Sequence, residues 1–170
     1  DNCDTDVEIT FLETIGAGDC ADSYTITRTW TATDNCGNAT TATQIIGVGD
    51  NQAPEITGVP VDVTAECDNI PTVETNIGTT DNCDNDIDLT FEEIRTDGTC
   101  ENEYTLSRIW TATDDCGNET TLTQTIIVID TQSPQFTSVP AGETVECDAI
   151  PEAAPIAATD NCDDDVEVVF

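Results

Sequence analysis

The sequence contains no histidine and no lysine, and three arginines are the only basic side chains in its 170 residues. Because 36 side chains are acidic, the formal net charge is -33. Nucleic acids and anionic membrane surfaces attract basic proteins, so we expect neither as a partner. The sequence also has no run of 18 apolar residues, so we expect no direct membrane insertion. Without histidine, a catalytic cysteine lacks its usual base, and we expect no enzymatic activity.

Also absent is any Cys-x-x-Cys motif, although nine cysteines are present. Zinc and iron–sulfur sites need cysteine or histidine ligands at short spacings, so the sequence favours neither kind of site. Disulfide bonds are the better interpretation, and they are typical of proteins in oxidising, extracellular compartments. We therefore expect a secreted or cell-surface protein.

An internal repeat organises the residues that are present. The segment TATDNCGNATT at 31–41 returns as TATDDCGNETT at 111–121, an interval of 80 residues (111 − 31). A third copy begins at 160–170 with DNCDDDVEVVF, one residue early. Self-similarity at this period predicts tandem domains. The interval also aligns Cys3 with Cys83, Cys20 with Cys100, Trp30 with Trp110, Cys36 with Cys116 and Cys67 with Cys147.

Domain boundaries are predicted at the two linkers VGDNQAP (48–54) and VIDTQSP (128–134), where a strand pattern ends in Asp and a Pro follows. On this division, residues 51–130 are one complete repeat. Residues 1–50 are the C-terminal part of a preceding repeat, and 131–170 are the N-terminal part of a following one.

The fold class is predicted from alternating apolar residues. Segments 87–94, 104–113 and 119–129 alternate with a period of two and are rich in β-branched residues, which favours strands. Shorter strands fit near 55–59, 61–66 and 71–76. About seven short strands in each repeat predict an all-β protein of tandem immunoglobulin-like β-sandwich domains of about 80 residues, each of them disulfide-bonded.

The first disulfides are predicted from a hairpin centred near residue 99. In that register Cys83 faces Cys116, Leu89 faces Trp110 and Phe91 faces Arg108. The same arithmetic in the first copy sets Cys3 against Cys36 and Trp30 against Ile9. We therefore expect the disulfides Cys3–Cys36 and Cys83–Cys116.

A further disulfide is expected at the opposite end of the sandwich. Cys67 ends the strand VDVTAEC, and Cys100 lies at the hairpin turn, so Cys67–Cys100 is predicted. The partners of Cys20, Cys147 and Cys162 are expected outside the sequence.

The arginines on apolar strand faces need partners, because an unpaired charge on such a face is costly. We expect Arg108 to pair with Glu93, and Arg28 to pair with Glu13. Both tryptophans are expected on core faces.

The acidic loops are candidate calcium sites. DNCDNDID (81–88), TDDCGNE (113–119) and the linker at Asp50 are expected at one end of the fold, and they offer oxygen ligands without histidine or thiolate. The alternative is that these loops are solvated surface, and no segment is a complete EF-hand loop. Asn38 and Asn118 also begin N-glycosylation sequons. The candidate calcium ligands are Asp50, Asn51, Asp81, Asp84, Asp86, Asp114, Asp115 and Asn118, with their copies Asp1, Asp4, Asp6, Asp34, Asp130, Asp160, Asp163 and Asp165.

The combination VPVDVTAECDNIP, TTDNC and YTLSRIWTATDDCGNETTLTQTIIVIDTQSP resembles the hyalin-repeat type of immunoglobulin-like domain. It is similar to the variant found in tandem in very large secreted surface proteins of Bacteroidetes-type bacteria. The resemblance implies an extracellular β-sandwich repeated in long arrays, which serve in adhesion or as a fibre. It implies no catalytic residue.

The expected function is an extracellular structural or adhesive repeat protein, in which Ca²⁺ stiffens each junction of a rod or filament. Its partners would be neighbouring repeats and identical chains. The alternative is a carbohydrate- or host-binding module that recognises a surface glycan or host ligand, which requires exposed aromatic side chains.

Overall fold

The computed structural model describes residues 5–169, and the regular secondary structure in this range consists of β-strands. The predicted all-β class is therefore confirmed. Within the same range, no helix is long and apolar enough to cross a membrane. The strands are β1 (Glu8–Ala17), β2 (Tyr24–Thr33), β3 (Ala39–Val48), β4 (Glu55–Thr57), β5 (Val63–Glu66), β6 (Gly78–Thr80), β7 (Asp88–Asp97), β8 (Tyr104–Thr113), β9 (Glu119–Ile129), β10 (Gln135–Phe136) and β11 (Ala158–Thr159).

The first three strands form an antiparallel sheet in the order β1-β2-β3. Threonine and isoleucine dominate these segments, and their β-branched side chains favour extended backbone. The loop between β1 and β2 is closed by the Gly18 N–H, which donates to the Ser23 carbonyl at 2.9 Å.

A four-stranded sheet has the order β5-β9-β8-β7, and in it β5 runs parallel to β9. The predicted period of two is visible in β8, where every second residue from Leu106 onward is buried. Leu106, Ile126 and Val128 form a buried cluster, and Val63 and Ala65 of β5 pack against it. The apolar face of the sheet thus supplies the core.

Two short antiparallel pairs complete the fold, β4 with β6 and β10 with β11. The strand bounds recur at the interval seen in the sequence, because β1, β2 and β3 begin at residues 8, 24 and 39, and β7, β8 and β9 begin at 88, 104 and 119. The turns and strands are therefore set by local sequence.

Residue contacts divide the chain into two compact units. The first contains the β1-β2-β3 sheet and the β4–β6 pair, and the second contains β5, the buried cluster and the β10–β11 pair. The domain boundaries predicted from the linkers stay a prediction. The first unit comprises Asp1–Gly58, Asn76–Phe91 and Trp110–Leu122, and the second comprises Val59–Thr75, Glu92–Ile109 and Thr123–Phe170.

The predicted hairpin register is wrong by two residues. Trp30 lies opposite Phe11, where Ile9 was expected. In the second copy the Gly98 N–H donates to the Glu103 carbonyl at 2.7 Å, so the loop is centred beyond residue 99. A shift of two residues keeps every side chain on its own face, so the assignment of strand faces is unaffected.

The same shift changes the aromatic contacts of the second copy. Trp110 lies against Phe91, with ring centroids 5.2 Å apart, whereas the predicted register set it against Leu89. Trp110 is buried as expected, but Trp30 is 37% exposed, so the prediction of two core tryptophans is wrong for Trp30.

Both predicted arginine pairs are confirmed. Arg108 Nε donates to Glu93 Oε2 at 2.7 Å, and Arg28 Nε donates to Glu13 Oε2 at 2.7 Å. The buried Arg108 guanidinium also donates to the Pro71 carbonyl at 2.9 Å. These bonds satisfy a charge that the core would otherwise exclude.

The predicted disulfides Cys83–Cys116 and Cys67–Cys100 are wrong. The bonds are Cys20–Cys116, with 5.0 Å between Cα atoms, and Cys67–Cys162, with 5.7 Å. Cys20 and Cys162 therefore find partners within the chain. The predictions assumed bridges inside one repeat, whereas these bonds span 96 and 95 residues. The predicted Cys3–Cys36 bridge involves Cys3, which lies outside the described residues.

Candidate metal centre

Three carboxylates from separate parts of the first unit meet in one place. Asp50 follows β3, Asp81 follows β6 and Asp114 follows β8, and one oxygen of each lies within 4.8 Å of the others. We call these three residues the junction cluster, because Asp50 belongs to the first predicted linker. All three residues are among the candidate ligands predicted from the sequence.

Two buried oxygens of the junction cluster receive no hydrogen bond from residues 5–169. Asp81 Oδ1 accepts the backbone N–H groups of Cys83 at 2.8 Å and Asp84 at 3.1 Å, and Asp50 Oδ1 accepts that of Gln52 at 3.1 Å. The Oδ2 atoms of Asp50 and Asp81 are buried and have no hydrogen-bond partner among the described residues. Buried oxygens without a donor are costly unless a cation or water supplies the missing contact.

Asp114 is held by its own turn. Its Oδ1 accepts the N–H groups of Cys116 at 2.9 Å and Asn118 at 2.8 Å, and its Oδ2 accepts Asn118 Nδ2 at 2.8 Å. Gly117 has a φ of 85°, a conformation that glycine adopts without strain. Burial opposes ionisation, but the hydrogen bonds from Asn118, Cys116 and Gly117 together outweigh it and lower the pKa of Asp114. The amide of Asn118 thus supports the carboxylate.

A second cluster consists of Asp22, Asp84 and Asp115, again with one oxygen of each within 4.8 Å of the others. We call it the loop cluster. Asp84 is 6% exposed, and its Oδ2 accepts the Asp115 N–H at 2.8 Å. Asp22 belongs to the loop between β1 and β2, which the Cys20–Cys116 bond ties to the turn after β8.

The electrostatic field of these clusters is strongly negative. Desolvation, followed by the charges of Asp84 and Asp115, raises the pKa of Asp22. Desolvation and the charges of Asp50 and Asp81 likewise raise the pKa of the Cys83 thiol. Both shifts have the sign expected where carboxylates are crowded without counter-charges.

The third cluster, Glu66, Asp130 and Cys162, lies in the second unit and is a poorer site. Cys162 is bonded to Cys67, so it offers no thiolate. Glu66 already accepts bonds from the backbone and hydroxyl of Thr131. This cluster has less free ligand capacity than the junction cluster.

Asp160 repeats the local geometry of Asp81. Its Oδ1 accepts the N–H groups of Cys162 at 2.9 Å and Asp163 at 3.3 Å, and its Oδ2 is buried without a partner among the described residues. The predicted equivalence of these two acidic loops therefore extends to the orphaned oxygen.

The remaining predicted ligands take other positions. Asp34 repeats the turn of Asp114, with Asn38 Nδ2 donating to its Oδ2 at 2.7 Å. Asp86 lines an open groove of about 260 Å³ with Asp81 and Asp84, but it lies outside the clusters. Asp1 and Asp4 are outside the described residues. Four more predicted ligands are exposed: Asp6, Asn51, Asp163 and Asp165.

Asp22 is not among the ligands predicted from the sequence. Its signal was the neighbouring Cys20, which would have placed Asp22 beside Asp115 had the partner of Cys20 been known. Comparisons of the chain with models of protein families and with curated proteins gave no match. The function is therefore argued from the residues of the site.

Proposed function

We propose that the chain belongs to an extracellular structural or adhesive protein of tandem immunoglobulin-like repeats, in which Ca²⁺ stiffens each junction of a rod or filament. The observation that carries this proposal is the junction cluster. It brings together a linker carboxylate and two loop carboxylates, and two of their own buried oxygens lack donors within the described part of the chain.

The charge of the chain supports a cation at this cluster. Three carboxylates held within 4.8 Å repel one another, and the sequence has no lysine to neutralise them. Salt bridges in the described residues use all three arginines elsewhere, at Glu13, Asp97 and Glu93. A bound divalent cation would remove the repulsion and supply the missing contacts.

The chemistry of the ligands favours Ca²⁺ among the divalent cations. The cluster offers carboxylate oxygens, without imidazole or thiolate, and Ca²⁺ takes six to eight oxygen ligands in flexible geometry. Carbonyl groups and water would complete the shell. A cation bound by Asp50 of the linker and by Asp81 and Asp114 of the loops would restrict bending of the linker.

Thermal unfolding with millimolar Ca²⁺ and then with a chelator tests this function. At a free Ca²⁺ concentration 100 times the Kd, one site stabilises the folded chain by about 2.7 kcal/mol, so the melting temperature should rise clearly. Asp81→Asn should abolish the rise. Asp86→Asn, the same change in the same loop but outside the cluster, should retain it.

An unchanged melting temperature in the wild-type chain would overturn the calcium site. So would an Asp81→Asn variant that responds to Ca²⁺ as the wild type does. The acidic loops would then be solvated surface.

A carbohydrate- or host-binding module is the second candidate, and the exposed aromatic pair of Trp30 and Phe11 favours it. Their ring centroids are 5.4 Å apart, and they are 37% and 55% exposed. Aromatic faces of this kind can stack on sugar rings. Glycan-array binding that is lost in Trp30→Ala would support this candidate, and an array without bound glycans would exclude the carbohydrate form of it.

A further inference from the structure

Each disulfide joins two different kinds of cysteine. Cys20 lies in the hairpin loop between β1 and β2, and Cys116 lies in the turn between β8 and β9. The counterpart of Cys116 in the first copy is Cys36, 80 residues earlier (116 − 36). The bond therefore links the hairpin-loop cysteine of one copy to the turn cysteine of the next.

The other bond follows the same rule with a different pair. Cys67 follows β5, and Cys162 lies in the acidic loop after β11. The counterpart of Cys162 in the second copy is Cys83, in the acidic loop after β6. This bond links the strand-end cysteine of one copy to the acidic-loop cysteine of the next.

Within residues 5–169, four cysteines are free and exposed, and each is a counterpart of a bonded one. Cys100 corresponds to Cys20, Cys36 to Cys116, Cys147 to Cys67 and Cys83 to Cys162.

Two of the free cysteines make the same local hydrogen bond as their bonded counterparts. The Cys36 N–H donates to Asp34 Oδ1 at 3.0 Å, as the Cys116 N–H donates to Asp114 Oδ1 at 2.9 Å. The Cys83 N–H donates to Asp81 Oδ1 at 2.8 Å, matching the bond of 2.9 Å at Cys162.

The other two free cysteines show the same agreement. The Cys100 carbonyl accepts the Glu103 N–H at 3.2 Å, and the Cys20 carbonyl accepts the Ser23 N–H at 3.1 Å. Cys147 lies in a turn closed by the Ala149 N–H and the Glu146 carbonyl at 3.0 Å. The turn of Cys67 is closed in the same way, between Asn69 and Glu66, at 3.0 Å.

We propose that these four cysteines form the same two kinds of disulfide with neighbouring repeats, so that two inter-repeat bonds join every pair of successive repeats. Cys36 and Cys83 would receive bonds from a preceding repeat, and Cys100 and Cys147 would bond to a following one. The partner is another repeat of this kind. The inference rests on the tandem array of the proposed function, but it does not require Ca²⁺.

Bond formation needs an oxidant of the disulfide class, such as glutathione disulfide. Thiol–disulfide exchange passes through a mixed disulfide, and the two protein thiols become one protein disulfide while glutathione disulfide becomes two glutathione thiols. Oxidising extracellular compartments sustain this reaction.

The direct test is peptide mapping of the full-length secreted protein, alkylated before any reduction and kept in chelator. We expect Cys36, Cys83, Cys100 and Cys147 to be almost entirely protected from alkylation. Hairpin-loop cysteines should be linked to turn cysteines, and strand-end cysteines to acidic-loop cysteines, one repeat apart. Alkylated thiols at these positions, or Cys83 linked to Cys116, would overturn the proposal.

A second measurement uses the 170-residue chain at high concentration with glutathione disulfide. Covalent oligomers should carry Cys100–Cys36 and Cys147–Cys83 links between chains, and Cys100→Ser should remove only the first link. Oligomers without these pairs would contradict the pairing rule. Because chelator is present throughout, failure of the proposed inter-repeat disulfides is distinguishable from failure of the proposed calcium site.

Discussion

Strands β2 and β8 carry nearly the same residues, YTITRTWTAT and YTLSRIWTAT, but they lie in different surroundings. The side chain of Arg108 is 5% exposed and that of Arg28 is 37% exposed, although each binds the glutamate opposite it. Arg108 also donates to the carbonyls of Pro71 and Thr72. Among the described residues, no segment comparable to that of Pro71 and Thr72 packs over Arg28. The strand pattern thus sets which face is apolar, and the segment that covers it sets how much is buried.

The turns show the opposite behaviour, because they are alike in both copies. Asp34 and Asp114 accept the same backbone N–H groups, and Gly37 and Gly117 have φ of 87° and 85°. These hydrogen bonds join residues within the same five-residue turn, so they do not depend on packing against other parts of the chain. The comparison therefore separates what is local from what depends on packing.

The largest expected effect is the loss of the Cys20–Cys116 bond. The double variant Cys20→Ser, Cys116→Ser should lower the free energy of unfolding by about 4 kcal/mol, because the bond closes a loop with a sequence separation of 96. Cys36→Ser changes the turn counterpart and should cost less than about 0.5 kcal/mol. Equal losses in chemical denaturation would show that the bond does not constrain the chain.

The two tryptophans should respond differently to truncation. Trp110→Ala removes a side chain that is 2% exposed and should cost about 3–5 kcal/mol. Trp30→Ala removes one that is 37% exposed and should cost about 1–2 kcal/mol, since less area leaves water. Similar losses in denaturant titrations would mean that Trp30 is covered in solution.

The arginine pair gives a smaller contrast. Arg108→Met should cost about 2–3 kcal/mol, because two backbone carbonyls and Glu93 lose a buried donor. Arg28→Met removes a half-exposed ion pair and should cost less than about 1 kcal/mol. Urea denaturation of both variants measures the difference, and an equally large loss at Arg28 would contradict it.

The smallest effect is a pH dependence shared by both copies. Hydrogen bonds, chiefly from Asn38, lower the pKa of Asp34. At Asp114, desolvation raises the pKa, but the hydrogen bonds from Asn118, Cys116 and Gly117 together outweigh it and lower the pKa. A lowered folded pKa adds stability above the unfolded value, near 3.9, and this stability is lost as pH falls through the folded pKa. In chelator, Asp34→Asn should flatten the dependence of unfolding free energy on pH below about 4. An unchanged slope would argue against these turn bonds.

Much of this architecture is predictable from sequence, and the failures have physical causes. The period of two located β7, β8 and β9 and both arginine pairs, since these depend on the face of a strand. The register was wrong because loop length sets it, and a loop of mixed polar residues does not specify its own closure. Disulfide connectivity cannot be deduced from cysteine spacing. Because the Cys20–Cys116 bond was not predicted, Asp22 was not placed beside Asp115.

Small-angle scattering of the chain in millimolar Ca²⁺ and in chelator tests the proposed stiffening of the junction by calcium most directly. We predict a larger maximum dimension in Ca²⁺, which Asp81→Asn abolishes and Asp86→Asn preserves. The same maximum dimension in both solutions would contradict the proposed calcium site at the junction cluster.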